Sequence, residues 1–172
     1  MMRRLGPVLL ALLVAIAAGC DGGGNETAAT QPPTTTTTSE TGRDALERAV
    51  RQALRDNDRL SGYVLWSNRI PDWATRSTRG RALAALRTSA ADRRKRGIRV
   101  RTLRSTLEIT SIDLDPSYTS ATAVVRSVQR VRPYEGGKPS GRAVELDERA
   151  KVELRRLGAS DRFVVWRLSA LP

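Results

Sequence analysis

The spacing of apolar residues changes at Gly97, and that change restricts the chain to an α+β fold. Before it, Leu46, Ala49, Val50, Ala53 and Leu54 recur at i, i+3, i+4, i+7 and i+8, the stripe of an amphipathic helix. Thr41, with Asp44 three residues on, can cap its start. Asp56-Asn57-Asp58 followed by Gly62 predicts its end. Residues 63–76 hold Trp66 and Trp73 around Pro71 and read as a short helical or extended stretch laying aromatics over the core. A second helix is expected from about Thr78 to Arg96, with Ala82, Leu83, Leu86 and Ala90 inward. Arg93-Arg94-Lys95-Arg96 puts cations at its negative end, and Gly97 stops it.

After Gly97 the period is that of strands. Leu107 and Ile109 share one phase and Ile112 and Leu114 the other, which predicts a β-bulge near Thr110-Ser111. Asp115-Pro116-Ser117 marks a turn. Residues 119–132 form the next strand, and 133–141 (PYEGGKPSG) a turn-rich connection. Over 142–155, Val144, Leu146, Ala150, Val152 and Leu154 alternate with charged residues, so the strand has one wet face. Gly158 to Asp161 closes a hairpin into a last strand on which Val164, Trp166 and Leu168 share a face.

The front of the chain is built differently. Residues 20–41 contain no large apolar side chain and are rich in Gly, Thr and Pro, so they cannot bury enough surface to offset their ordering entropy. They read as a spacer. Residues 1–19 form a leader: Arg3 and Arg4, then an uncharged apolar run from Leu5 to Ala18, shorter than the roughly 20 residues a membrane span needs. The run ends in Ala17-Ala18-Gly19-Cys20, which resembles the lipobox of bacterial lipoproteins, with Ala17 where leucine is commoner. The resemblance implies diacylglycerol on the Cys20 thiol and cleavage between Gly19 and Cys20. It places the protein on the extracytoplasmic face of a cell membrane. Cys20 is the one cysteine in the chain, so it has no intramolecular disulfide partner.

Composition then removes whole classes of chemistry. There is no histidine, and lipidation would consume the thiol, which excludes histidine acid–base catalysis, His/Cys metal sites and thiol nucleophiles. No metal and no cofactor are expected beyond the lipid. The remaining acid and phenol candidates are Asp72, Asp92, Asp113, Asp115, Tyr63, Tyr118 and Tyr134, with Glu108 placed mid-strand. Each has an ordinary structural reading as a turn, cap or solvated residue.

Without the two arginines of residues 1–19, 28 cations face 18 acids, a net +10. Only Lys95, Lys138 and Lys151 are lysines, a skew that fits a GC-rich genome. Arg99, Arg101 and Arg104 on one strand and Arg126, Arg130 and Arg132 on the next would make a cationic sheet face if those strands pair. The same residues could simply keep exposed strands soluble and unpaired. Expected partners are membrane lipid, an anionic envelope polymer or another exported protein. Nucleic acid is not expected, and a homodimer through the sheet stays open. Trp66, Trp73 and Trp166 are candidates for lining a pocket or for filling the core.

Two helices followed by a meander of long antiparallel strands, ending in Arg162-Phe163-Val164-Val165-Trp166-Arg167-Leu168, resembles the nuclear transport factor two-like folds. The resemblance covers roughly residues 42–170. It implies N-terminal helices packed on a curved, cone-shaped antiparallel sheet of about four strands. The segment from Arg96-Gly97-Ile98 through Leu107-Glu108-Ile109 is also similar to the non-catalytic N-terminal region of secreted Gram-positive putative amidases. Such folds host enzymes, binding modules and spacers, so function must come from the site. The expectation is a tethered, non-catalytic binding domain. The alternatives are a small cyclase- or isomerase-like enzyme with an Asp/Tyr-lined pocket, and a passive spacer.

Overall fold

The computed structural model describes residues 40–172. The leader, the Gly19–Cys20 junction, nearly all of the spacer and the side chain of Thr41 lie outside the described residues. Helix α1 spans Glu40–Ser67, a 3-10 turn spans Asp72–Arg76, and helix α2 spans Gly80–Lys95. Strands β1 (Ile98–Leu114), β2 (Ser120–Glu135), β3 (Lys138–Pro139), β4 (Val144–Arg156) and β5 (Phe163–Leu171) form one antiparallel sheet. Its order is β1-β2-β4-β5, with β3 paired to β2. The α+β class is as expected, with five strands rather than four because the 133–141 connection contains β3.

Helix α1 does not fade at Asp56-Asn57-Asp58 or stop at Gly62; it runs on to Ser67. A glycine inside a helix costs about 1 kcal/mol. Leu60 and Val64 on either side of it are fully buried, and each such side chain contributes about 2 kcal/mol. Packing wins. The helix ends where Asn68 takes a left-handed conformation (φ 55°) and its N–H reaches the Val64 carbonyl at 3.0 Å.

Two apolar clusters lie along α1. Leu46, Val50, Ala53 and Leu54 pack on Ala121, Ala123, Val125, Val152, Leu154, Phe163 and Val165 of the sheet. Leu60 and Val64 pack instead with Ala74, Leu83 and Ala90. Between these clusters α1 carries polar residues that tie it sideways. Asn57 accepts a 2.8 Å hydrogen bond from the Thr78 hydroxyl. Asp58 accepts from Ser105 of β1 and Gln129 of β2. Residues 77–79 in turn join the edge of β5, with Val165 N–H donating to Ser77 at 2.8 Å and Arg79 N–H to Val165 at 2.9 Å.

The expected bulge is present, the register shifting between Ile109 and Ser111, and a second shift falls between Thr102 and Arg104. Both bend the sheet across α1. β2 continues through Pro133 to Glu135, further than its sequence suggests. β4 pairs with β2 only as far as Val131, so the proline ring sits where β2 has run past that neighbour. The expected face of β4 is buried over Val152 and Leu154, while Val144 at its start is exposed.

Candidate functional site

The ends of α1 and α2 meet the start of β1 in a framework of arginine and asparagine. Arg93 is 2% exposed. Its guanidinium donates to Asn68 Oδ1 at 3.0 Å, to the Val64 carbonyl at 3.2 Å and to Ser89 Oγ at 2.6 Å. Asn68 Nδ2 donates to the Ile98 carbonyl at 2.6 Å, and Arg94 donates to the Asn68 carbonyl at 2.6 Å. A buried cation thus answers the negative end of α1. Burial, with Arg96 nearby, pushes the Arg93 guanidinium below its ordinary value.

Beside this framework opens a cleft of about 500 Å³, lined among others by Arg69, Arg94, Arg99, Tyr134, Gly136 and Gly137, with no carboxylate in its wall. Aromatics border it. Trp66 meets Tyr134 edge-on with ring centroids 5.3 Å apart, and the Arg99 guanidinium lies 6.0 Å from the Trp66 ring. Tyr63, one turn before Trp66, meets Trp73 at 6.0 Å. Tyr63, Trp66 and Trp73 are 45%, 40% and 38% exposed, so the two tryptophans do not cover the core as expected. Trp166 stands apart from both: it packs against Gly80, and Arg155 lies 4.2 Å over its ring.

The six arginines of β1 and β2 fall into three settings. Strand pairing sets Arg101 opposite Arg132 and Arg104 opposite Arg130. The alternation that turns Val125 and Val131 toward the helices places these four on the other face. Arg126 stands opposite Glu108 and forks onto Asp147 at 2.9 and 2.6 Å. That hydrogen bond raises the Arg126 pKa and lowers that of Asp147. Arg99, opposite Tyr134, belongs to the cleft. The Arg132 Nε is buried without a hydrogen-bond partner among the described residues. Like charges directly across strands destabilise a sheet, so Arg101/Arg132, beyond the end of the β2–β4 pairing, works against the fold, while Arg130 of the second couple also faces Glu145 across β4.

The acids singled out by sequence take structural places. Asp72 opens the 3-10 turn, and Asp92 and Asp113 are exposed. Asp115 organises the β1–β2 turn. Burial alone would raise its pKa, but hydroxyl and backbone N–H donors of Ser117 and Ser120 hold it far below the usual carboxylate range. Tyr118 sits in that turn at φ 55°. Sequence reading missed Asp58 and Glu148. Burial raises the pKa of each, Ser105 and Gln129 offsetting part of the effect at Asp58. Glu148 had a signal: it falls in phase with Leu146 and Ala150. Arg93 had one too, three residues beyond Ala90 on the inward stripe of α2. Among the described residues no group of acids, Cys or His is arranged to hold a metal ion. None of their helices is long and apolar enough to cross a membrane.

No protein-family model matches the sequence, and no curated protein does. The fold is similar to a crystal structure of the intermembrane space region of chloroplast protein ARC6, with a TM-score of 0.63. The match covers 72% of this chain and 95% of that one at 12% identity. At that identity the likeness shows the fold alone.

Proposed function

We propose that the protein is a lipid-anchored, non-catalytic binding module on the extracytoplasmic face of a bacterial cell membrane. Diacylglycerol on Cys20 holds it there, and a nuclear transport factor two-like cone presents the outer sheet face to an anionic envelope polymer. The observation that carries this reading is the couple Arg101/Arg132, with no acid across from it, beside Arg104/Arg130, of which Arg130 alone faces an acid on β4. A fold does not gain from like charges set across strands, whereas a polyanion relieves that repulsion and collects long-range attraction. A second copy docked sheet to sheet would oppose these arginines with their own equivalents, which favours the polymer over a homodimer. Element order and the register shifts, two in β1 and one between β4 and β5, support the cone.

Two experiments test the proposal. Cys20→Ser is expected to lose lipid label and leave the membrane fraction; a variant still labelled and membrane-bound defeats the anchor. The chain from residue 20 onward is expected to bind poly(glycerol phosphate), and Arg101→Glu with Arg130→Glu to elute at distinctly lower salt. Unchanged elution defeats the sheet face as the site. The enzyme alternative has the half-buried carboxyls Asp58 and Glu148 in its favour, and substrate turnover abolished by Glu148→Gln would establish it.

A further inference from the structure

We propose that the end of the molecule where Tyr63, Trp66, Trp73 and Tyr134 meet Arg69 and Arg99 docks onto an anionic lipid headgroup layer. It rests on the Cys20 anchor for the identity of that surface. Tyr63 and Trp66 are three residues apart and share one side of α1. Trp73 seats against Tyr63 and Tyr134 against Trp66. Four of the seven aromatics in the chain therefore gather in one patch, three of them substantially exposed. Tryptophan and tyrosine, with an apolar ring and a polar handle, settle at the level of lipid headgroups.

The charge around the patch has the sign such a surface needs. The cleft at its edge carries three cations, Arg69, Arg94 and Arg99, and no acid. Each cation near an anionic leaflet contributes on the order of 1 kcal/mol. Arg69 and Arg99 line the cleft beside the aromatics, which has room for a headgroup phosphate.

Reach decides whether the tether permits the contact. The 28 residues of α1 span about 42 Å, and the patch lies at the end of α1 away from the anchor. The twenty residues from Cys20 to Ser39 extend to at most about 70 Å. One membrane can therefore hold both the lipid and the patch, with the domain laid along it.

The test uses the chain from residue 20 onward with Cys20→Ser, since both apolar clusters lie within residues 46–165. It is expected to sediment with vesicles of phosphatidylcholine containing phosphatidylglycerol, with a blue shift of tryptophan emission, and not with phosphatidylcholine alone. Trp66→Ala with Trp73→Ala should weaken binding about tenfold, an interfacial-anchor effect, with the circular dichroism spectrum unchanged. Arg69→Glu with Arg99→Glu should weaken it too, which keeps the test alive if the first pair misfolds. Arg101→Glu with Arg104→Glu should weaken it less than Arg69→Glu with Arg99→Glu does, and leave the blue shift in place. Equal binding to both lipids, unaltered binding by both paired variants, or a blue shift given by a glycan and not by vesicles would overturn the proposal. Because the tested chain carries no lipid, this outcome is independent of whether Cys20 is acylated.

Discussion

Single residues set the strictest limits. Arg93 gives one guanidinium to three acceptors on two helices and the segment between them. A lysine there offers one ammonium to acceptors spread over the same space. Arg93→Lys is expected to lower stability by about 2 kcal/mol and Arg93→Met by about 3 kcal/mol, because buried acceptors are left without donors. A shift of the denaturant midpoint at constant slope would register both. Gly80 carries a second limit. Its φ is +55°, and a Cβ there would stand 2.6 Å from Trp166 Cδ2 and Cε2. Gly80→Ala therefore combines a left-handed backbone with a collision against an indole held by Arg155. The expected loss is about 3 kcal/mol, and Gly62→Ala, with open space around it, should instead gain up to about 1 kcal/mol. The Arg93 position was legible in the helical spacing, but its partners were not. They come from α1 and from Asn68, whose left-handed cap forms only where α2 arrives beside it.

At the scale of elements, the polar belt between the two apolar clusters makes α1 and the sheet sensitive to pH. Asp58 and Glu148 have folded pKa values raised above 3.8 and 4.5 by burial. The folded state then binds protons more tightly than the unfolded one, so this contribution is fully favourable below those unfolded values. It is lost as pH rises through the folded ones. Asp115 and Asp147 act in the opposite sense, their lowered values adding stability above 3.8 that disappears under strong acid. Glu148→Gln is expected to raise the melting temperature at neutral pH and to flatten its fall above pH 4.5; an unchanged profile would show that the carboxyl is not strained by burial. The strand couples offer a second measurement. Arg101→Glu turns a repulsive pair with Arg132 into an attractive one, worth roughly 0.5 kcal/mol, so stability should rise while polyanion binding falls. Opposite signs in one variant are what a binding face retained at some expense to the fold would give. The bulge at Ile109/Ser111 was readable because the apolar phase flips in the sequence. The one at Thr102/Arg104 lies in a stretch with too few apolar residues to show a phase.

For the whole molecule, the two basic regions predict different salt behaviour. Sheet-face binding to a polymer is carried by exposed charge and should weaken steeply with ionic strength. Vesicle binding through the aromatic end should retain part of its affinity in salt, because ring burial is not screened. Competition between soluble polyanion and vesicles would separate the surfaces: simultaneous binding is expected if they are distinct, and mutual displacement if one patch serves both.

The order of helices and strands, the central bulge, the inward stripes and the lack of any histidine followed from the sequence, because period and composition are local properties of a chain. The end of α1, the separation of Trp166 from Trp66 and Trp73, the burial of Arg93 and the half-burial of Asp58 and Glu148 were decided by tertiary structure. Each depends on a partner brought in from another element: Leu60 and Val64 meeting α2, Trp166 meeting Gly80, Asp58 meeting β1 and β2. The arginines of β1 and β2 show the division most directly. Their count and alternation were already in the sequence, yet only strand register set Arg101 against Arg132 and Arg104 against Arg130, gave Arg126 to Asp147, and left Arg99 beside Trp66.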